Sequence, residues 1–318
     1  MARYLLGKLW QSAVTLVLAS VVIFVGVRSL PGDPALAMAG EEADPETLAR
    51  VRADLGLDQP VLVQYVRFVG SVLRGDLGES IRTGIPVTDL VSQTLPVTLW
   101  LAGYAIVVAV VLGIGLGVLA AVYRGRWPDY LTGAVAVLGL SVPSFWIGIL
   151  AILYLAVELG WFPASGYTDV LQNPARGLYH LTMPAFILAT STLALLLRQT
   201  RASMIETLGA DFIRTARAKG MAWPRIVTRY ALRNSVIVVV TLVGLQLGGL
   251  VSGAVVTEQI FALPGIGKLT LDSVFTRDYP VIQAVVLVVT LFYIVINLLT
   301  DVLYTVIDPR IRIGGRTR

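Results

Sequence analysis

Few side chains in this sequence could do covalent chemistry. There is one histidine, His180, and no cysteine. Neither a multi-histidine site nor a thiolate metal site can form within the chain, and there is no disulfide framework. The carboxylates are scattered and supply no nucleophile–base pair. Two glycine-rich stretches invite comparison with phosphate-binding loops. "ALPGIGK", ending at Lys268, fails the G-x-x-x-x-G-K-[ST] pattern, because position 262 is Ala and Lys268 is followed by Leu269. "GIGLG", Gly113 to Gly117, lies inside an apolar run, where glycine signals close helix packing rather than a dinucleotide site. No catalytic, cofactor-binding or metal residue is assigned.

The stretch with a distinctive pattern is "DFIRTARAKGMAWPRIVTRY", residues 211–230. It belongs to a segment, 198–234, with eight Lys and Arg from Arg198 to Arg233, against Glu206 and Asp211. Asp211 can cap a helix starting at Phe212. Phe212, Ile213 and Ala216 give that helix an apolar side, and Arg214 and Arg217 lie three apart on another. Gly220 is the stop, and Pro224 fits the first turn of a second helix. Three roles fit. The loop could lie on anionic lipid, serve as a topology signal, or insert into a groove on a partner protein. Thr215, Ala216, Ala218 and Gly220 form a small-residue strip that suits the third.

The elements around this loop follow from composition. The chain is 56% hydrophobic and 14% charged, where a soluble domain is nearer a quarter charged. It reads as an all-α integral membrane protein. A span needs roughly 20 mostly apolar residues, and six stretches qualify: Leu9–Leu30, Pro96–Tyr123, Leu131–Val157, Leu181–Leu197, Ser235–Val256 and Val281–Ile307. The first lacks a clean cleavage site and reads as an uncleaved span. With both termini cytoplasmic, the inside segments hold sixteen of the 25 Lys and Arg. The net charge of +5 therefore reads as topology rather than nucleic-acid binding.

This divides the chain into a tail and first span (1–30), an extracytoplasmic segment (31–95), a transmembrane core (96–307) and a cytoplasmic tail (308–318). Segment 31–95 patterns as two or three short amphipathic helices. One has Asp44 as cap, Pro45 at the first position and Gly56 as stop. Another has Leu62, Tyr65, Val66, Val69 and Leu73 apolar and ends at Gly75. Such a segment either docks an external partner or rigidifies the mouth. Trp161, Phe162 and Tyr167 suit an aromatic belt. Polar residues within or at the ends of spans are candidates for a path or gate. Asn297 and Asp301 share a helical face, Gln246 sits in the fifth span and Glu258 ends it; each also has a structural reading as a hydrogen bond, cap or anchor. Gly244 with Gly248, and Gly249 with Gly253, have the small-xxx-small spacing of a helix contact, within the chain or with a second one. A transporter working alone should show charges paired at mid-membrane or an internal repeat, and neither is visible.

"ADFIRTARAKGM…RYALRN" resembles the cytoplasmic EAA-motif loop of ATP-binding-cassette importer permeases, in the version of the dipeptide/oligopeptide/nickel family. "LPGDP" at 30–34, "GDLGES" at 75–80, "SVPSFWIGIL" at 141–150, "FPASGY" at 162–167, "VFTRDYPVIQA" at 274–284 and "NLLTDVLYTVIDPRIR" at 297–312 resemble the same family, in order, across essentially the whole chain. The chain is most similar to the first permease subunit of a dipeptide or oligopeptide importer. The motif's E-A-A falls on Arg214, Thr215 and Ala216, so its glutamate is absent, and its later proline falls near Arg233. That altered form is common in the peptide branch, but contacts made by the glutamate cannot be carried over.

The resemblance implies a heterodimer with a second homologous permease, two cytoplasmic ATP-binding subunits and an extracytoplasmic solute-binding protein. ATP and Mg would be held by the partner subunits, with no cofactor in this chain. Residues 211–222 would be the coupling helix, with Asp211, Phe212, Arg214, Thr215, Ala216, Arg217, Ala218, Lys219, Gly220 and Met221 as coupling residues. Transport would proceed by alternating access. The expected cargo is a dipeptide or oligopeptide; a nickel chelate, glutathione or another small solute is the alternative.

Overall fold

The computed structural model describes residues 2–29, 35–36, 44–54 and 56–307. "LPGDP" at 30–34 and the tail 308–318 lie outside them. Every named element is helical. Four helices among the described residues are long and apolar enough to cross a membrane: Gly7–Arg28, Val87–Val122, Pro174–Leu208 and Tyr279–Thr300. A bent pair makes five if it is counted as one span. The chain forms two compact units, Met1–Val97 with Pro264–Val295, and Thr98–Leu263 with Ile296–Arg318.

In the first unit, α1 (Ala2–Arg28) is followed by α2 (Pro45–Asp54) and α3 (Val61–Leu73). Asp44 begins α2 as expected, its Oδ1 accepting from the N–H groups of Thr47 (2.8 Å) and Glu46 (3.0 Å). α3 runs antiparallel along the C-terminal half of α1. Tyr65 meets Ser20 Oγ at 2.8 Å, Tyr65 and Phe68 pack on Phe24, and Gln64 Oε1 accepts from Arg28. The face read from the sequence is thus split: Tyr65 turns to α1, whereas Leu62, Val66 and Leu73 stay exposed.

α4 (Val87–Val122) starts in this unit, with α10 (Ile266–Thr276) and α11 (Tyr279–Ile307). Val87, Val91, Ile266, Val281, Ala284 and Val285 form their shared core. One buried polar contact fastens that core. Ser80 Oγ donates to Asp278 Oδ2, the Ile81 N–H donates to Oδ1 at 3.2 Å, and Ser80 and Asp278 are both buried. The "GDLGES" and "TRDYP" stretches are therefore two halves of one fastening. Asp278→Ala should leave the buried Ser80 hydroxyl and the partly buried Ile81 N–H without this acceptor, a cost of about 1–3 kcal/mol. The measurement is limited proteolysis of segment 76–86 with the melting temperature of the purified protein. Adding Ser80→Ala to Asp278→Ala should cost little more; fully additive losses would show that the two side chains do not act together.

In the second unit, α7 (Pro174–Leu208) is the hub. At 35 residues it is about 52 Å long, well beyond the ~30 Å hydrocarbon core. It begins at Pro174, capped by Asn173 Oδ1 on the Arg176 N–H, and continues past the expected end at Leu197 through Arg198 and Arg201. α4 packs on it through glycine: a Cβ at Gly117 would lie 2.6 Å from Thr200 Cβ and 2.8 Å from the Leu197 carbonyl oxygen. α5 (Trp127–Ser141) also lies on α7, with Gly139 against Ala194.

The third expected span, Leu131–Val157, is not continuous. α5 stops at Ser141, and α6 (Ser144–Ala151), with the π-helical turn Ile152–Glu158, leaves at 105°. The cause is local. Val142 precedes Pro143 and takes an extended conformation (φ −87°, ψ 127°), as a residue before proline is pushed to do. The last long helix of this unit is α9 (Arg233–Ile260), which contains the expected fifth span.

Candidate functional site

Between α7 and α9 lies α8 (Asp211–Ala218). Its position follows from one apolar stripe. Ile213 is fully buried and Ala216 nearly so, in a cluster with Ala121 of α4, Met204 of α7, and Ile226, Val227 and Ala231. Burying Ile213 alone is worth about 1.5–3 kcal/mol. Gly220, at φ +71°, turns the chain at the end of α8. Pro224 then sits in the first turn of the short helix Trp223–Arg225, which continues as the π-helical turn Ile226–Leu232 into α9. The helix–glycine–helix elbow read from the sequence is present.

Its faces differ from that reading. Asp211 lies within the first turn rather than capping it: Ala210 occupies the cap position, and the Asp211 carboxylate pairs with Arg214 at 3.2 Å. Ala216 is on the inner stripe, not on a presented strip, and Met221 is half-buried against the same cluster. The outward residues are Phe212 (45% exposed), Arg214, Thr215, Arg217, Ala218, Lys219 and Gly220. Arg217 stacks its guanidinium over the Trp223 ring, 4.5 Å from the centroid, so the two limbs of the elbow are tied across Gly220. The result is a short helix anchored along one side, with an aromatic ring, small residues and cations on the other.

The other candidates take separate places. Glu258 is fully buried and accepts a hydrogen bond from Thr98 Oγ1, a contact between α9 and α4. Gln246 is half-buried in α9 and Asn297 half-buried in α11. The side chain of Asp301 lies outside those described. A Cβ at Gly244 would lie 2.1 Å from Thr300 Cγ2, so that glycine serves packing within the chain. Gly249 has open space beside it, and Leu245 and Val256 on the same side of α9 are exposed.

His180 is a helix residue whose Nδ1 contacts the Arg176 carbonyl at 2.9 Å; a carbonyl only accepts, so Nδ1 carries the proton. No cluster of three His, Cys, Asp or Glu suited to a metal occurs among the described residues. Lys268 of the phosphate-loop look-alike pairs with Asp272, one turn on, at 2.8 Å.

Sequence reasoning missed the strongest ion pair near this loop. Arg201 Nε and Nη2 donate to both oxygens of buried Asp129 (2.6 and 2.9 Å), and the Gly125 N–H donates to the same carboxylate. Along the sequence Arg201 is one of the eight cations of segment 198–234. The available signal was a lone acid, Asp129, just after Arg124 and Arg126.

Two family descriptions match the chain: "Binding-prot-dependent transport system membrane comp, N-term" over residues 1–102, and "Binding-protein-dependent transport system inner membrane component" over residues 113–313. The chain belongs to the binding-protein-dependent transport permeases. This permease is 41% identical to a putative peptide transport system permease protein of Brucella abortus (strain 2308), over 98% of this chain and 99% of the relative. It is 43% identical to the glutathione transport system permease protein GsiC of Escherichia coli (strain K12), over the same shares. Its fold is similar to that of the methionine ABC transporter MetNI, with a TM-score of 0.56 over 69% of this chain and 96% of the other, at 18% identity. The permease is thus a multi-pass inner-membrane component of a transport system. ATP hydrolysis in such systems belongs to other subunits.

Proposed function

We propose that this permease forms the translocation path of an ATP-driven importer for dipeptides or oligopeptides, and that α8 with its elbow is where cytoplasmic ATPase subunits engage it. One observation carries the reading: α8 is fixed by Ile213 and Ala216 to three other parts of the chain, while Phe212, Thr215 and Ala218 remain open. A helix held this way can transmit a push, and a lipid-lying helix needs no such socket. The second permease subunit would cover the Leu245–Gly249–Val256 side of α9, and an extracytoplasmic binding protein would deliver cargo at the outer ends. The charge bias supports six spans with both termini cytoplasmic.

Glutathione is a second reading of the cargo, favoured by the full-length similarity to a glutathione permease. The test is uptake in vesicles holding the permease with its second permease, ATPases and binding protein. Labelled dipeptide, longer peptide and glutathione are compared. Peptide uptake that depends on ATP and on the binding protein is expected. Uptake of glutathione alone would replace the cargo assignment, and uptake without ATPase subunits would overturn the importer reading itself.

A further inference from the structure

The hairpin between α4 and α5 carries a site that the coupling reading does not use. The last turns of α4 and the first turns of α5 enclose an open groove of about 450 Å³, walled by Leu116, Leu119, Leu131 and Val135 and closed at the hairpin end by Tyr123 and Arg126. From Leu116 to Tyr123 it rises about 10 Å, a third of the ~30 Å hydrocarbon core. Trp127 and Tyr130, both more than two-thirds exposed, flank the same end. Amphipathic rings at one level mark the depth where headgroups begin.

The charge at that end is positive, and the structure shows why. Arg124 and Arg126 are exposed in the turn 123–126. The acid beside them, Asp129, is buried and committed to Arg201 and the Gly125 N–H, so its charge is balanced by a cation outside the turn. An apolar groove with a cationic, aromatic-flanked end has the order of chemistry found along a phospholipid.

We infer that this groove binds an anionic glycerophospholipid of the cytoplasmic leaflet, with an acyl chain along Leu119, Leu131 and Val135 and the phosphate at Arg126. The site rests on the cytoplasmic placement of the 123–126 turn and on nothing in the cargo or coupling assignment.

The test uses the assembled transporter in vesicles and matched phosphatidylglycerol and phosphatidylcholine probes bearing a photoreactive acyl chain. Peptides containing Leu119, Leu131 or Val135 should be labelled by phosphatidylglycerol about fivefold more than by phosphatidylcholine, the factor expected for one basic residue near an anionic surface. Arg126→Ala should erase that preference, Arg126→Lys should keep it, and Val135→Trp should remove labelling by filling the channel. Excess glycerol 3-phosphate should displace nothing. Equal labelling by the two probes, a preference that survives Arg126→Ala, or displacement by glycerol 3-phosphate would overturn the site. Absence of labelling in the assembled transporter would also overturn it, by showing that another chain covers the groove. Because the sequence has no cysteine, Arg124→Cys reports orientation separately. Modification by an impermeant maleimide from the outer side would refute the topology whatever the probes show.

Discussion

Valine at position 220 should leave the permease in the membrane and cut coupled transport about tenfold or more, while asparagine at the same position should be nearly silent. The difference is conformational. Gly220 has φ +71°, and nothing lies within 4 Å of where its Cβ would be, so there is no clash to relieve. An L-residue in the left-handed region costs about 1–2 kcal/mol, a β-branched one more, and asparagine tolerates it. Strain of this size at an elbow re-aims α8, and about 1.4 kcal/mol of lost docking is a tenfold loss. Phe212→Ala should act in the same direction by removing the large apolar side chain on the open face. An anionic-lipid anchor predicts the reverse order, with Arg214→Glu and Arg217→Glu severe and the Gly220 and Phe212 changes mild. The measurement is uptake and ATP turnover in reconstituted vesicles, with copurification of the ATPases. Wild-type uptake in both Gly220→Val and Phe212→Ala would remove α8 from the coupling path. Ala216→Asp, which the sequence offers as another test, is a poor one. It would bury a carboxylate among Ala121, Met204 and Ile226, and so unsettle the loop whether or not a partner binds there.

What was legible in the sequence was local. The elbow rests on a glycine that takes the left-handed turn and a proline in the next first turn. The start of α2 rests on Asp44 and the two N–H groups it accepts from. What was hidden depends on residues far apart. Ser80 and Asp278, or Asp129 and Arg201, share no pattern that a window along the chain could detect, and only the folded chain brings them together. The inward turn of Ala216 is a tertiary choice of the same kind. The length of α7 was missed for a different reason. Apolarity ends near Leu197, where Arg198 and Arg201 follow, but backbone hydrogen bonding continues to Leu208, and those extra turns carry Met204 and Leu208 to the α8 socket. The break at Val142–Pro143 was visible as a proline within an apolar run, and counting apolar residues passed over it.

Leucine at position 117 should prevent the permease from accumulating as a folded subunit, the largest effect expected of any single change here. The argument is geometric. A Cβ at Gly117 would lie 2.8 Å from the Leu197 carbonyl oxygen, and one at Gly113 would lie 2.8 Å from Leu196 Cβ and 3.1 Å from the Leu193 oxygen. Main-chain atoms of α7 cannot rotate away, so α4 must move as a body, and α7 also holds α5 and the socket for α8. Even Gly117→Ala should cost about 1–3 kcal/mol by overpacking. Trimming the opposite side chain with Thr200→Gly should recover only part of that, since the Leu197 oxygen stays where it is. Thr200→Val alone should be mild, because the buried Thr200 hydroxyl has no hydrogen-bond partner among the described residues and loses none. Gly115 is the internal control: it lies between the two contact glycines, is exposed, and has nothing within 4 Å of its Cβ position. Thermal melts of the purified transporter and membrane levels of each variant decide the matter. Gly115→Leu should resemble wild type and Gly117→Leu should be lost. Equal stability of the two would mean that α4 and α7 do not meet through this face.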